Sequence, residues 1–392
     1  DKISHNLRQS GTIDSIFKIC KNKFYDSKFE EKLDENRDIL GFDNGIYDLK
    51  NGSFRKGQPE DYLTFSVNYD YKEYSTDHPY VNEIVDFFNK VQTEEDMKEY
   101  LLTLCSSYLD GWNKEQNFQF FVGQKGSNGK STCVTFLQSV LGDYASTIPH
   151  EILTRQSGGS SNATPEMANK KGVRFVVMSE PDGDDRIYVG KLKELSGNDT
   201  IQVRPLYKDP FYMKPQFKLL LVCNKLPTIP SIDGGTWRRI KVTPWESRFL
   251  GRDEVVRDPE KEFYKDNDLN EKMEKWKQAF IWLLLNRYYP DFKKNGLETK
   301  EPKKVKQFTD DYKKDSNIYY EFLLESFDVT GSDDDFENFG VIYQTFRSWY
   351  LQTRIAKGCP TKKDLKDYFI MRNIQLLKTI LKEYGIKDYQ ML

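Results

Sequence analysis

Between positions 39 and 71 apolar and polar residues alternate over short stretches broken by turn residues, a period of two that predicts strands. Asn51-Gly52, set between Ile46-Tyr47-Asp48-Leu49 and Ser53-Phe54-Arg55, is a residue pair suited to a type I′ hairpin turn. From position 81 the period lengthens. Val81, Ile84, Val85, Phe88 and Val91 recur near every 3.6 residues, and Met97, Tyr100, Leu101 and Leu104 repeat the pattern, so 81–110 reads as helical. Residues 1–112 are therefore expected to form a first, α-rich domain with some strand.

Four continuous apolar runs follow, at 117–122, 173–178, 218–223 and 239–242. Runs of this kind mark strands buried on both faces, as in an α/β sheet. A helical stretch over 131–141 ends at Gly142, which places a second domain at 113–292. Residues 157–164 read as a flexible surface loop, and the Lys-rich stretch 293–306, with Pro302, reads as a linker. Helices near 308–326, 341–354 and 362–372 leave 293–392 as a small α-rich module, with a winged helix as one candidate form.

The 392 residues carry 59 Lys and Arg against 61 Asp and Glu, a net charge of −2, with 38% apolar and 14% aromatic residues. The balance excludes a wholly basic nucleic-acid coat but leaves room for a local basic stripe. Five cysteines and three histidines are scattered without metal or disulfide spacing. The apolar run at 279–285 falls far short of the roughly 20 residues of a membrane span, and no signal-peptide pattern opens the chain. These features point to a reducing, intracellular compartment. A first residue of Asp, not Met, reads as part of a longer chain.

Candidate chemistry begins at the end of the run 117–122. Gly123-Gln124-Lys125-Gly126-Ser127-Asn128-Gly129-Lys130-Ser131-Thr132 is a phosphate-binding loop between a strand and a helix, irregular only in having Gln124 where strict spacing puts glycine. Gly126 and Gly129 let backbone N–H groups approach phosphate at a helix N-terminus, with Ser127, Asn128 and Thr132 completing the cradle. Lys130 would neutralise the β- and γ-phosphates of ATP and Ser131 would ligate Mg²⁺.

The second strand run leads to Glu180, placed to hold the magnesium shell or to polarise the attacking water, with Asp182 beyond Pro181 as a loop acid. The third delivers Asn224, an amide able to bond the water or the γ-phosphate. Pro227 stands where a guanine-specific NKxD box needs Asp, which disfavours a GTPase. Arg238 and Arg239 open the fourth strand after Asp233-Gly234-Gly235, and one of them, Arg238 slightly preferred, is a candidate to reach a neighbouring subunit's γ-phosphate. Between Glu180 and Asn224, Arg204, Lys208, Lys214 and Lys218 face only Asp209 and alternate with Tyr207, Phe211 and Tyr212, a pattern suited to gripping phosphates and stacking on bases.

Together these motifs resemble a superfamily 3 helicase of the poxvirus-type helicase-primase NTPase family, shared by large nucleocytoplasmic DNA viruses and, more distantly, by phage and plasmid primase-helicases. The most specific parts are Gly126-Ser-Asn-Gly-Lys-Ser131, Ser179-Glu-Pro181, the stretch 196–204, Leu221-Val-Cys-Asn-Lys-Leu-Pro227 and Gly235-Thr-Trp-Arg-Arg-Ile240. The stretches 40–49, 59–62 and 341–350 resemble the flanking domains. The resemblance implies an AAA+ P-loop motor with an N-terminal collar domain that serves oligomerisation. It further implies a homo-hexameric ring with shared ATP sites, and a pore hairpin within 204–218 that moves single-stranded DNA through Arg204, Lys208, Phe211 and Lys214. It implies a primase domain ahead of the motor in the full-length chain, and work at a viral replication site in the host cell. Two other readings of the same loop remain: a small-molecule or nucleoside kinase, and a non-motor DNA scaffold that keeps ATP as a structural ligand.

Overall fold

The computed structural model describes residues 2–123, 125–154, 164–179, 186–229, 231, 233–327, 338–353 and 359–371. The turn at Asn51-Gly52 joins two strands of a three-stranded antiparallel sheet, β1 (Ile39–Phe42), β2 (Gly45–Asp48) and β3 (Ser53–Arg55). The strand pattern expected up to position 71 stops at β3. Beyond it, single backbone bonds such as Val67 N–H to Gly41 O take the place of a ladder. Helices Pro79–Val91 and Glu95–Ser107 follow; the first buries one apolar stripe, and the second is buried nearly all round from Met97 onward.

The apolar runs become a five-stranded sheet, parallel throughout. Its strands are β4 (Phe118–Val122), β5 (Ala145–Thr147), β6 (Phe175–Ser179), β9 (Lys218–Cys223) and β10 (Ile240–Pro244), in the spatial order β10-β4-β9-β6-β5. Between β6 and β9 in the chain, β7 (Ile201–Val203) and β8 (Phe211–Met213) form a separate antiparallel hairpin. After β10, β11 (Arg248–Leu250) and β12 (Glu262–Tyr264) pair in parallel. This is a mixed α/β fold whose five-stranded parallel sheet is compatible with a P-loop NTPase core.

One apolar cluster runs from Leu40 through the helices at 79–107 to Phe121, Cys133, Leu137, Phe280 and Val305, so residues on both sides of position 112 share a core. The stretch 293–306, expected as a linker, is largely structured. It ends the helix Tyr289–Asn295 and starts the helix Lys303–Asp315, in which Val305, Thr309 and Tyr312 recede beneath a lysine-rich surface. Thr309 Oγ1 accepts a hydrogen bond from Val242 N at 2.9 Å, tying that helix to β10. The helix expected over 308–326 is broken because the Asn317 side chain caps a new one, Ile318–Ser326. With Phe339–Thr353 and Lys362–Met371 it builds a separate apolar cluster that holds no strand among the described residues. No described helix is long and apolar enough to cross a membrane.

Candidate nucleotide site and nucleic-acid hairpin

All five residues of β4 are buried, so the sheet fixes where the chain leaves it. Gly123 comes next. A Cβ there would lie 2.2 Å from Asn128 Nδ2 and 2.8 Å from the Trp245 carbonyl oxygen, so glycine is needed for the loop to fold back over the strand end. Gly129, at φ +86°, closes the loop, and a Cβ there would meet Val91 and Phe249. Asn128 is buried and donates from Nδ2 to Lys125 O at 2.8 Å, bracing the turn from within. Lys125, Gly126, Ser127 and Ser131 face solvent, and Thr132 is half-buried.

Lys130 begins the helix Lys130–Leu141 and is 4% exposed. Its Nζ donates to Gly123 O and to Asn224 Oδ1, both at 3.2 Å. The register explains this meeting: Val122 lies opposite Cys223, so the residues that follow them, Gly123 and Asn224, emerge side by side. Strand β6 ends at Ser179 beside Val222, on the same sheet edge. Glu180 and Asp182 lie outside the described residues, as does Gln124. The loop borders a cavity of about 1550 Å³ whose walls include Asn224, Trp245, Arg186, Tyr312 and Tyr350. Arg186 Nη1 donates to Tyr350 Oη at 3.2 Å, linking the core to the C-terminal helices.

This edge suits a nucleoside triphosphate. It joins a buried ammonium, a glycine-lined turn and the N-terminus of a 12-residue helix. The exposed Ser131 hydroxyl fits Mg²⁺, which is commonly held by one or two protein oxygens together with phosphates and water. No cluster of three or more His, Cys, Asp or Glu residues offers an all-protein metal site among the described residues.

Arg238 and Arg239 stand at the opposite edge. They precede β10, whose first residue Ile240 pairs with Phe118, the first residue of β4. The five residues of β4 separate them from the phosphate loop by roughly 16 Å. Neither pairs with Asp233, which instead caps the turn Gly234–Trp237 and bonds Lys193 Nζ at 2.6 Å; that lysine holds its carboxyl well below the usual range. Both guanidinium groups donate to Gln116 Oε1, Arg238 Nη2 at 2.7 Å and Arg239 Nη2 at 2.9 Å.

The hairpin β7–β8 ends at Met213, shortly before β9 begins at Lys218 on this second edge. Tyr207, at its tip, is 96% exposed with φ +58°, and Tyr212 is 70% exposed. Arg204, Lys208 and Lys214 are exposed as well, whereas Phe211 packs against the core. The aromatic faces offered to solvent are thus those of Tyr207 and Tyr212. Lys218 belongs to the sheet and not to the basic loop: it is mostly covered and ion-paired with Asp110 at 3.0 Å. Burial pulls its pKa down while Asp110 resists the shift.

Gln116 carries no sequence signal of a site, because only the pairing of β4 with β10 brings it to the arginines. Comparison with known proteins bears on the whole arrangement. Residues 1–92 match a family model described as "D5 N terminal like", and residues 121–239 match a family of unknown function (DUF5906). The "Putative helicase L207/L206" of Acanthamoeba polyphaga mimivirus is 39% identical over 94% of this chain and 38% of its own length. The chain thus opens with a D5 N-terminal-like domain and is similar, over nearly its whole length, to proteins named "Putative helicase" in large DNA viruses. The "Putative helicase 184R" of Invertebrate iridescent virus 6 is 30% identical over 98% of this chain and 43% of its own length. The "Uncoating factor OPG117" of vaccinia virus (strain Western Reserve) is 29% identical over 66% of this chain and 35% of its length. The chain thus spans about two fifths of the two helicase-named relatives. The poxvirus-type resemblance carried by the motifs agrees with these relatives.

Proposed function

We propose that this chain is the ATP- and Mg²⁺-dependent motor of a viral DNA helicase-primase, an AAA+ machine of superfamily 3. The observation that carries the reading is Lys130, held between the end of β4 and Asn224 on one sheet edge, while Arg238 and Arg239 stand on the other. ATP lies along the loop 123–132, with Lys130 on its terminal phosphates and Ser131 and Glu180 completing the Mg²⁺ shell. Asn224, within bonding distance of Lys130, orients the attacking water or the γ-phosphate. The arginines cannot reach the phosphate loop of their own chain, so the site is completed by a neighbour in a ring, here taken as a homo-hexamer. Single-stranded DNA runs along the hairpin tips, and the primase domain is carried by the rest of the full-length protein.

The test is the steady-state ATPase rate of wild type and Lys130→Ala, with and without single-stranded DNA, over protein concentrations that span assembly. Hydrolysis should fall by about 10²- to 10³-fold in the variant, as when a positioned charge-stabilising donor is lost. In wild type it should rise with DNA and climb more than linearly with protein. A rate indifferent to DNA and linear in protein would favour a kinase, and ATP binding with negligible turnover would favour a scaffold.

The hairpin gives a second expected result. Each phosphate contact contributes a slope of about −0.7 to the salt dependence of single-strand binding, so Lys208→Ala with Lys214→Ala should flatten it by roughly 1.4. Tyr207→Ala should cost about 1–3 kcal/mol of affinity at any salt concentration through lost base stacking. Basal ATPase should stay near wild type. An unchanged slope would remove the two lysines from the DNA path.

A further inference from the structure

Two guanidinium groups held side by side repel each other, and folded proteins ordinarily relieve such a pair with a carboxylate. Among the described residues, neither Arg238 nor Arg239 makes an ion pair. One neutral oxygen, Gln116 Oε1, receives both. Arg239 also donates from Nη1 to Gly235 O, while its buried Nε has no partner. Burial and the adjacent charge of Arg238 both pull the Arg239 pKa down, and the nearby Asp233 and Asp199 only partly oppose them. Gln116 itself sits at φ +55°, the left-handed region that disfavours a side chain, immediately before the buried Asn117 and the start of β4. A residue held in unfavourable backbone geometry thus bonds two cations through a neutral group and leaves both without a carboxylate partner.

We propose that Gln116 is the positioning residue of the arginine pair, setting both guanidinium groups to receive the triphosphate of a neighbouring chain. This rests on the shared-site reading above. The amide fixes the two side chains in one fork without neutralising them, which a carboxylate at the same place would do. When the phosphate arrives it supplies the negative charge the pair lacks, and the arrangement needs little rearrangement at the moment of reaction.

Two replacements separate positioning from folding. Gln116→Gly suits the left-handed backbone, so its melting temperature should match or exceed wild type. Its kcat should nevertheless fall about 10- to 100-fold, as misplacement of a catalytic group by about 1 Å does. Gln116→Glu would pair with both arginines and hold the fold at least as firmly, yet its kcat should fall further, about 10²- to 10³-fold, because the charge meant for phosphate is already cancelled. In both variants ATP affinity, read by equilibrium binding of a fluorescent ATP analogue at protein concentrations below assembly, should be unchanged within about twofold, since within one chain the phosphate loop lies on the other edge. Arg238→Ala and Arg239→Ala are measured alongside. If both arginine variants keep the wild-type rate, the shared-site reading itself fails. If an arginine variant is inactive while Gln116→Gly and Gln116→Glu turn over normally, the arginines act and Gln116 does not position them. A loss of ATP affinity equal to the loss of kcat in the Gln116 variants would also overturn the proposal.

Discussion

Chains carrying Arg238→Ala, mixed with chains carrying Lys130→Ala, should recover ATP hydrolysis that neither variant has alone. Lys130 and the arginines occupy opposite edges of one parallel sheet, at the end and at the start of β4 and its neighbour β10. In a closed ring of identical chains joined head to tail, one edge of each chain faces the other edge of the next. An Arg238→Ala chain still offers an intact phosphate loop, and a Lys130→Ala chain still offers an intact arginine. Where the first supplies the loop and the second the arginine, a complete site forms. Random assembly at equal ratio makes about one interface in four complete, so the mixture should reach roughly a quarter of the wild-type rate. Arg238→Ala alone should lose about 10³- to 10⁵-fold, the range for an arginine acting on a transferring phosphoryl group. No recovery at any mixing ratio, with assembly intact by sedimentation, would count against sites shared between chains. Arg239 should behave differently. It is tied to Gly235 and Gln116 and half-buried, so its removal should also lower the melting temperature.

What the sequence shows of this molecule depends on how local each feature is. The buried strands were legible because continuous apolar runs have few other uses, and the glycine turn before Lys130 because the close packing at Gly123 and the positive φ of Gly129 need glycine. Strand β5 was not legible. It is a three-residue edge strand, Ala-Ser-Thr, with little apolar character to register. The Lys-rich stretch at 293–306 misled for the reverse reason: its lysines cover a helix whose apolar positions, Val305, Phe308 and Tyr312, face β10 and its surroundings. Charge marked the basic hairpin, yet charge alone does not separate Lys208, at the tip, from Lys218, sunk beside Asp110. The pairing of Arg238 and Arg239 with Gln116 spans 122 and 123 residues, and a contact of that range is invisible until strand order is known.

The same long-range logic yields the largest expected effect on stability, at Arg174. This residue precedes β6, is 1% exposed, and sends its guanidinium into the N-terminal part of the chain. There it donates to the carbonyl oxygens of Leu109 and Ile39 and, at 3.5 Å, to that of Asn36, while its Cζ lies 4.4 Å from the centre of the Tyr144 ring. Tyr144 in turn accepts from Gly41 N at 2.9 Å and donates to Phe65 O at 3.1 Å. A buried charge is costly unless its hydrogen bonds are supplied, and here backbone carbonyls and an aromatic face satisfy the two terminal nitrogens, although the buried Nε has no partner. Burial pulls the Arg174 pKa down, yet arginine remains protonated in proteins, so the charge is permanent. Arg174→Met fills much of the space but leaves several carbonyls without donors, and should destabilise the chain by about 3–5 kcal/mol. Arg174→Lys keeps the charge but replaces a planar fork with a point donor, and should cost about half of that. Thermal unfolding followed by circular dichroism measures both. Because the helices at 79–107 and the sheet share one apolar cluster, the loss should appear as a single transition shifted downward, with no separate early melting of residues 39–112. A methionine variant melting within a degree of wild type would mean that the guanidinium contributes little beyond its volume.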